Sequence, residues 1–302
     1  MIKCGGSKQI SERDGTQPMY RAFDALANGN DAAINVLEAA LLIAHLEYPD
    51  LDQARCEAQL DELAQRVRAE LALPSPIDQA ELPAEVEPLA AIQAINKVLF
   101  EEEGFHGNRE HYYDPDNSYF NKVLEQRCGI PITLSLLYIE VGRRVGLHIE
   151  GIALPFQFVT RCVTPDTTLY IDAYEDGLVL SEQECRERIR HMARKRIKIH
   201  DHWFEPVNPR FFVARMLNNL KNIYIDREDF ERALKICDLL VVLLPRFAGE
   251  WRDRGIMHLQ LKHYARAKHD LTTYTELAPR ASDREEILEH IKSIRQIIAT
   301  MN

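Results

Sequence analysis

Residues 126–147 read QRCGIPITLSLLYIEVGRRVGL. Pro131 suits the first turn of a helix, where its missing N–H would have no partner anyway. Apolar side chains then run with few interruptions to Val145, and Gly146 is the residue type that stops a helix. A helix that is apolar on most faces belongs inside a fold. Cys128 stands just ahead of it, beside Gly129. A thiol at a helix start is a common setting for a nucleophile, because the helix N-terminus favours the thiolate. Two questions follow: what surrounds this helix, and whether Cys128 is armed.

Upstream, YYDPDNSYF (112–120) reads as a turn in which Asn117 or Ser118 can cap a helix carrying Tyr119, Phe120, Val123 and Leu124. Gly129 is placed to end that helix. Leu89, Ile92, Ile95 and Leu99 mark an earlier helix that stops near Gly104. Residues 74–88 carry prolines at 74, 76, 83 and 88 with acids between them, which predicts a connector. Before it, Ile34, Leu37, Leu41 and Leu42, then Leu60, Leu63, Ala64, Val67 and Leu71, recur at helical spacing. These predict a helical hairpin within residues 19–73, after a loose polar tail at 1–18. Downstream, HIEGIALPFQFVTRC (148–162) and TLYIDAYEDG (168–177) read as short strands around a Pro-Asp turn at 165–166. A helix-then-strands core therefore occupies residues 89–205.

The rest of the chain, residues 206–302, repeats. Leu217 matches Trp251, Tyr224 matches His258, Phe230 matches Tyr264, Ala233 matches Ala267 and Pro245 matches Pro279, each pair 34 residues apart. That period, with small, aromatic and terminal Pro positions, is the signature of tetratricopeptide (TPR) repeats. Two repeats are followed by a capping helix, ASDREEILEHIKSIRQIIATM (281–301). Such arrays commonly present a surface to protein partners, though so short an array could also pack on its own core.

Composition narrows the function classes. The chain has 302 residues, 46% hydrophobic and 28% charged, with a formal net charge of -10. That balance disfavours a dedicated nucleic-acid binder. The basic stretch RERIRHMARKRIKIH (186–200) reads first as a solvated helix, with a nucleic-acid or acidic-partner patch as the alternative, since no interleaved aromatic platform accompanies the charge. No apolar run reaches the roughly 18–20 residues of a membrane span, so no membrane partner is expected. The N-terminus lacks an apolar signal core. The six cysteines, at 4, 56, 128, 162, 185 and 237, form no C-x-x-C pair. A cytoplasmic protein with reduced thiols and no cysteine-based zinc site is expected. Asp114, Asp116, Ser118 and Glu125 imitate a calcium loop, but Tyr119 stands where that loop needs Gly. His200 and His202 offer too few ligands for a specific metal site. No cofactor and no metal are predicted.

The runs INKVLFEEEGFHGN, YYDPDNSYFNKVLEQRCGIPITLSLLYIEVGRRVGL, GIALPFQFVTR and YIDAYEDG together resemble a bacterial branch of the transglutaminase-like superfamily, often named after the invasion-gene regulator Sir B. The resemblance covers about residues 30–285, and that branch also carries C-terminal TPR repeats. It implies an α+β, mostly helical fold: the N-terminal helical hairpin, a papain-like helix-plus-antiparallel-sheet core, and the TPR array. Catalytic members of the superfamily use a Cys–His–Asp triad, with the Cys in the first turn of the core helix. Here that turn, Ile130 to Thr133, holds no cysteine. The branch usually reads P-G-H-F on the His strand, whereas this chain reads Pro155-Phe156-Gln157-Phe158. Gln157 cannot accept and return a proton near neutral pH. Asp172 alone matches its triad position. Gln157 is expected to hydrogen-bond to Asp172 or to backbone, and Asp172 to cap a turn or pair with a basic group.

The resemblance therefore implies a degenerate core that leans away from catalysis. It would act as a regulatory or scaffolding module, binding a protein or peptide through the TPR pair or through a vestigial cleft lined by Tyr138, Gln157, Phe158 and Asp172. The alternative is a thiol hydrolase or acyl transferase using Cys128 as a displaced nucleophile. His148 and Ser135 read as a surface histidine and a core-facing hydroxyl.

Overall fold

The computed structural model describes residues 17–73, 82–164, 167–193 and 196–301. The tail up to residue 16, connector residues 74–81 and the expected Pro-Asp turn at 165–166 lie outside them. The fold is α+β and mostly helical. In chain order its elements are α1 (Gln17–Ala27), α2 (Val36–Ala44), α3 (Gln53–Glu70), α4 (Pro88–Asn96), β1 (His106–Gly107), α5 (Phe120–Gln126), β2 (Cys128–Gly129), α6 (Pro131–Val145), β3 (Ile149–Ile152), β4 (Val159–Val163), β5 (Thr168–Asp172), β6 (Leu178–Leu180), α7 (Glu182–Met192), α8 (Pro209–Asp226), α9 (Phe230–Leu243), α10 (Ala248–Gln260), α11 (Tyr264–Leu277) and α12 (Arg284–Met301). Two compact units result. One is Val36–Phe212; the other joins the described residues up to Asn35 with Val213 onward.

Within Val36–Phe212, α6 is the central helix. Ile132 through Tyr138, then Glu140 to Gly142 and Val145, are all buried, which matches its nearly continuous apolar run. The helices α2, α3, α4 and α5 and strands β3 and β4 all pack on it. Gly142 permits the approach of β3: a Cβ there would lie 2.4 Å from Ile149 Cδ1. Pro131 opens α6, and Gly146 closes it in the left-handed conformation at φ 99°. The buried carboxylate of Glu140 is matched by Arg144 and by Arg143 at 2.9 Å.

The sheet is an antiparallel meander in the order β3-β4-β5-β6, with Thr160 opposite Ile171 and Tyr170 opposite Leu180. Its outer face buries Ile152, Leu154, Val159, Tyr170 and Leu180 against Cys185 and Ile189 of α7 and against Phe204. Ser181 and Glu184 form a capping box that starts α7. Strand β6 is not announced by the sequence, since three residues are too few to show alternation.

Two local expectations differ from what is observed. Neither Asn117 nor Ser118 caps α5, which begins at Phe120 with no side-chain cap. A 3-10 turn, Pro115–Ser118, precedes it, capped by the Asp114 carboxylate on Asp116 N at 3.1 Å. The Asn117 amide is spent elsewhere, donating to the His111 carbonyl at 2.7 Å and the Tyr112 carbonyl at 3.2 Å. The left-handed residue that ends α5 is Arg127 (φ 58°), not Gly129. Gly129 instead sits in β2, paired with Gly107 in a parallel two-strand ladder.

In the other unit, α10 packs against α9 and α11, and α11 against α12. Ala233 and Ala267 are fully buried, as the close approach of repeat helices requires. Pro245 and Pro279 follow the ends of α9 and α11. Helix α12 buries Ile287, Ile291 and Ile294 against Ala267, Leu271 and Tyr274. Residues 19–73 fall on both sides of the division: α1 packs on α9, whereas α2 and α3 pack on α6.

Candidate functional site

The first turn of α6 is where the resemblance places a nucleophile. The side chain there with a reactive-type atom is Thr133, fully buried. Its Oγ1 accepts from Ile130 N at 3.2 Å and donates to the carbonyl of Asn117 at 2.8 Å. That hydroxyl fastens the helix start to the preceding turn. Ser135, one turn on, is buried, and its hydroxyl has no hydrogen-bond partner among the described residues.

Cys128 lies in β2, in register with His106 of β1. Its Sγ is 3.9 Å from Asn108 Nδ2 and 3.9 Å from Asn117 Oδ1. These two amides are themselves bonded, Asn108 Nδ2 donating to Asn117 Oδ1 at 3.0 Å. Burial pushes the Cys128 thiol above its ordinary value, and the carboxylates of Asp114 and Asp116 push it the same way; the hydrogen bond from Asn108 opposes them only in part. An activated cysteine needs the reverse, a positive or dipolar neighbour that favours the thiolate. The His106 ring turns its Nδ1 to the Gly104 carbonyl, 3.0 Å away. Sequence reasoning misses Asn108 and Asn117 as the groups that frame the thiol.

Gln157 follows a turn between β3 and β4. Gln157 N donates to Leu154 O at 3.3 Å, Pro155 takes the second turn position, and Phe156 takes the third at φ 67°. This is the pattern of a type II turn, whose third position favours Gly. The Gly of the P-G-H-F pattern would be unstrained there. Phe156 is strained, and its ring is 62% exposed. Replacing Phe156 by Gly is expected to stabilise the fold by about 0.5–1 kcal/mol: relief of the left-handed strain exceeds the entropy that Gly restores to the unfolded chain. Equilibrium denaturation measures this, and a loss of stability would mean the ring packs usefully.

The Gln157 side chain is 6% exposed. Neither its Oε1 nor its Nε2 has a hydrogen-bond partner among the described residues, contrary to the expected bond to Asp172 or to backbone. Asp172 is engaged by other donors. Its Oδ1 accepts from Tyr174 N at 3.2 Å and Glu175 N at 3.3 Å, capping a 3-10 turn. Its Oδ2 accepts from Arg188 Nη1 at 2.7 Å. Arg188 comes from the basic stretch, as does Arg186, which bridges Glu182 at 2.7 Å and Asp201 at 2.6 Å. Part of that stretch is therefore spent on internal pairing.

The four residues expected to line a groove are all buried. Tyr138 is fully so, its hydroxyl donating to Asn96 Oδ1 at 2.9 Å. Phe158 packs edge-on to Phe212, with ring centres 4.9 Å apart. Together with Gln157 and Asp172 they belong to the packed interior rather than to an open wall. His148 is a surface side chain, 3.5 Å from Glu150. Among the described residues, no group of three or more His, Cys, Asp or Glu is placed to hold a metal ion, and no helix is long and apolar enough to cross a membrane.

A sequence profile described as the transglutaminase-like superfamily matches residues 54–218, and a tetratricopeptide-repeat profile matches residues 220–292. The chain is 33% identical over 278 residues to a UPF0162 protein of Xylella fastidiosa strain 9a5c, covering 91% of this chain and 95% of that one. It is 26% identical over 248 residues to a UPF0162 protein of Vibrio cholerae, covering 82% and 87%. It is also similar to mouse F-box only protein 21, 31% identical over 166 residues, or 51% of this chain and 25% of that protein.

Proposed function

The chain belongs to the transglutaminase-like superfamily with a C-terminal tetratricopeptide tail, and we propose that it is a non-catalytic member, a protein-binding module with a regulatory or scaffolding role in the cytoplasm. The observation that carries this reading is the surroundings of Cys128. Its sulfur contacts two neutral amides, and burial and two carboxylates hold its proton on. The residues at the other two triad positions that the resemblance assigns support it as well. Gln157 stands where a base would, and Asp172 is occupied by a turn and by Arg188. A cysteine enzyme needs its thiolate before the first bond forms, and this setting disfavours the thiolate. The repeat tail supplies the other half of the reading, since tetratricopeptide arrays present surfaces to other proteins.

The test reads Cys128 and partner capture together. Site-resolved alkylation of Cys128 by iodoacetamide should climb with pH through pH 9, because a thiol raised above its ordinary value stays protonated longer. Cys128→Ser should retain the protein partners that the full chain captures from extract. An alkylation rate already at its plateau near neutral pH, or partners lost with Cys128→Ser, would overturn the reading in favour of a thiol enzyme.

A further inference from the structure

The basic stretch 186–200 leaves its helix early, since α7 ends at Met192. Beyond it, Arg196, Lys198 and His200 are exposed, while Ile197 and Ile199 between them are partly buried. That period of two belongs to an extended chain. His200 has the extended backbone itself, at φ -109° and ψ 136°. Ile197 and Ile199 pack on the outer cluster of the sheet. The three basic side chains therefore stand in a row on the opposite side, spaced about 6.5 Å apart along the chain.

Two features of this row are unspent. Arg196 and Lys198 have no ion pair among the described residues, whereas Arg186 and Arg188 on α7 are both paired. The main chain is open as well. From Arg196 to Ile199, no N–H or C=O makes a backbone hydrogen bond to a described residue. An extended segment with unpaired main-chain groups is a template for another strand. A second copy of the same segment would set like charges opposite each other, which disfavours self-pairing. An extended acidic chain supplies both missing partners. Its backbone offers N–H and C=O at the same repeat, and carboxylates on alternate residues meet the cations. A nucleic-acid strand answers the charge less completely, because its phosphates accept but do not donate, and the open carbonyls need donors. Trp203, the neighbouring indole, is packed against the sheet cluster rather than presented for stacking.

We propose that residues 196–200 dock an acidic segment of a partner protein, added as an extended strand with carboxylates on alternate residues. Main-chain pairing supplies the hold, and the row of cations selects the acidic sequence. The same cations that keep a second copy away admit this partner. The surface lies outside both the triad positions and the repeat tail, so it does not depend on whether Cys128 is inert.

Fluorescence anisotropy on the full chain tests this with labelled acetyl-Thr-Glu-Val-Glu-Val-Glu-Thr-amide at fixed ionic strength. The peptide should bind saturably, one per chain. Affinity should fall about tenfold when Arg196→Glu is combined with Lys198→Glu, two exposed side chains whose exchange leaves the packed Ile197 and Ile199 in place. A peptide of the same composition with its glutamates consecutive should bind more weakly. N-methylation at the valines or at the glutamates blocks one edge of the peptide or the other, and at least one of the two forms should lose about tenfold. The proposal is overturned if the peptide does not saturate, if the permuted peptide binds equally well, or if neither methylated form is weaker. It is also overturned if the double variant binds like the unaltered chain, or if Lys262→Glu with Arg266→Glu in the repeat unit costs as much, which would mark general electrostatics. Tighter binding of a short oligo(U) than of the peptide would overturn it in favour of a nucleic-acid surface. Alkylation of Cys128 reads the triad separately, so either proposal can fail alone.

Discussion

Arg254→Met is expected to lower the stability of the repeat unit by about 3–5 kcal/mol, because it strands a carboxylate in the interior. Arg254 on α10 grips Asp270 on α11 with two parallel hydrogen bonds, Nε to Oδ2 at 2.6 Å and Nη2 to Oδ1 at 2.9 Å. Its Nη1 lies 3.3 Å from Asp238 on α9, and its guanidinium stands 4.9 Å from the centre of the Trp251 ring. Asp270 is 1% exposed, so no solvent replaces the lost guanidinium. Burial works against the charge of Arg254, yet the Asp270 carboxylate more than offsets it and holds the guanidinium above its ordinary range. The cost of the single change is mostly the uncompensated Asp270. Arg254→Met combined with Asp270→Leu should therefore recover most of the loss, since an apolar pair of similar volume is often neutral against a buried ion pair. Urea denaturation of the two single variants and the double closes the cycle. A single-variant loss below about 1 kcal/mol, the range of exposed pairs, would show that the pair is solvated in practice.

That buried pair illustrates which features a sequence exposes. The period of 34 is visible because each repeat must place a small residue where helices meet, and Ala233 and Ala267 are indeed fully buried. The charged network inside the same repeats is not visible. Arg254 and Asp270 look like ordinary surface charges until α10 and α11 bring them together. The core behaves alike. Helix α6 is readable from its apolar run, its Pro start and its Gly stop. The character of Cys128 is not, because it depends on Asn108, carried to the sulfur by a two-residue ladder from 20 positions upstream. Asp172 could be read as a cap. Its partner Arg188, 16 positions on, lay inside a stretch that reads as solvated, and the expected bond from Gln157 is not made. The residues expected to line a groove are buried, and one of them shows why. Tyr138 sits in an apolar helix with a hydroxyl to satisfy, and only the tertiary structure shows Asn96 doing so.

The Asn96 contact leads to a second large effect. Gly177→Ala is expected to cost about 3–5 kcal/mol, combining left-handed strain, overpacking and a broken buried hydrogen bond. Gly177 lies at φ 77°, and a Cβ there would sit 2.2 Å from Asn96 Oδ1 and 2.6 Å from the Phe100 ring. Asn96 is not free to yield. Its Nδ2 donates to the Gly177 carbonyl at 2.8 Å, while its Oδ1 accepts from the Tyr138 hydroxyl at 2.9 Å. Tyr138 is wholly buried in α6, and burial pushes its hydroxyl well above the ordinary range, so that proton must have an acceptor. Displacing Asn96 thus reaches the central helix from a turn between β5 and β6. Gly104→Ala separates the contributions. Gly104 has nearly the same backbone, φ 73°, but nothing lies within 4 Å of its would-be Cβ. It should lose only the backbone strain, about 1–2 kcal/mol. The difference between the two variants, read from denaturation midpoints at a common slope, measures the close approach at Asn96 alone. Equal losses at the two glycines would mean that Asn96 rotates away without penalty and that Tyr138 finds its acceptor in the Ile92 carbonyl, 3.4 Å distant.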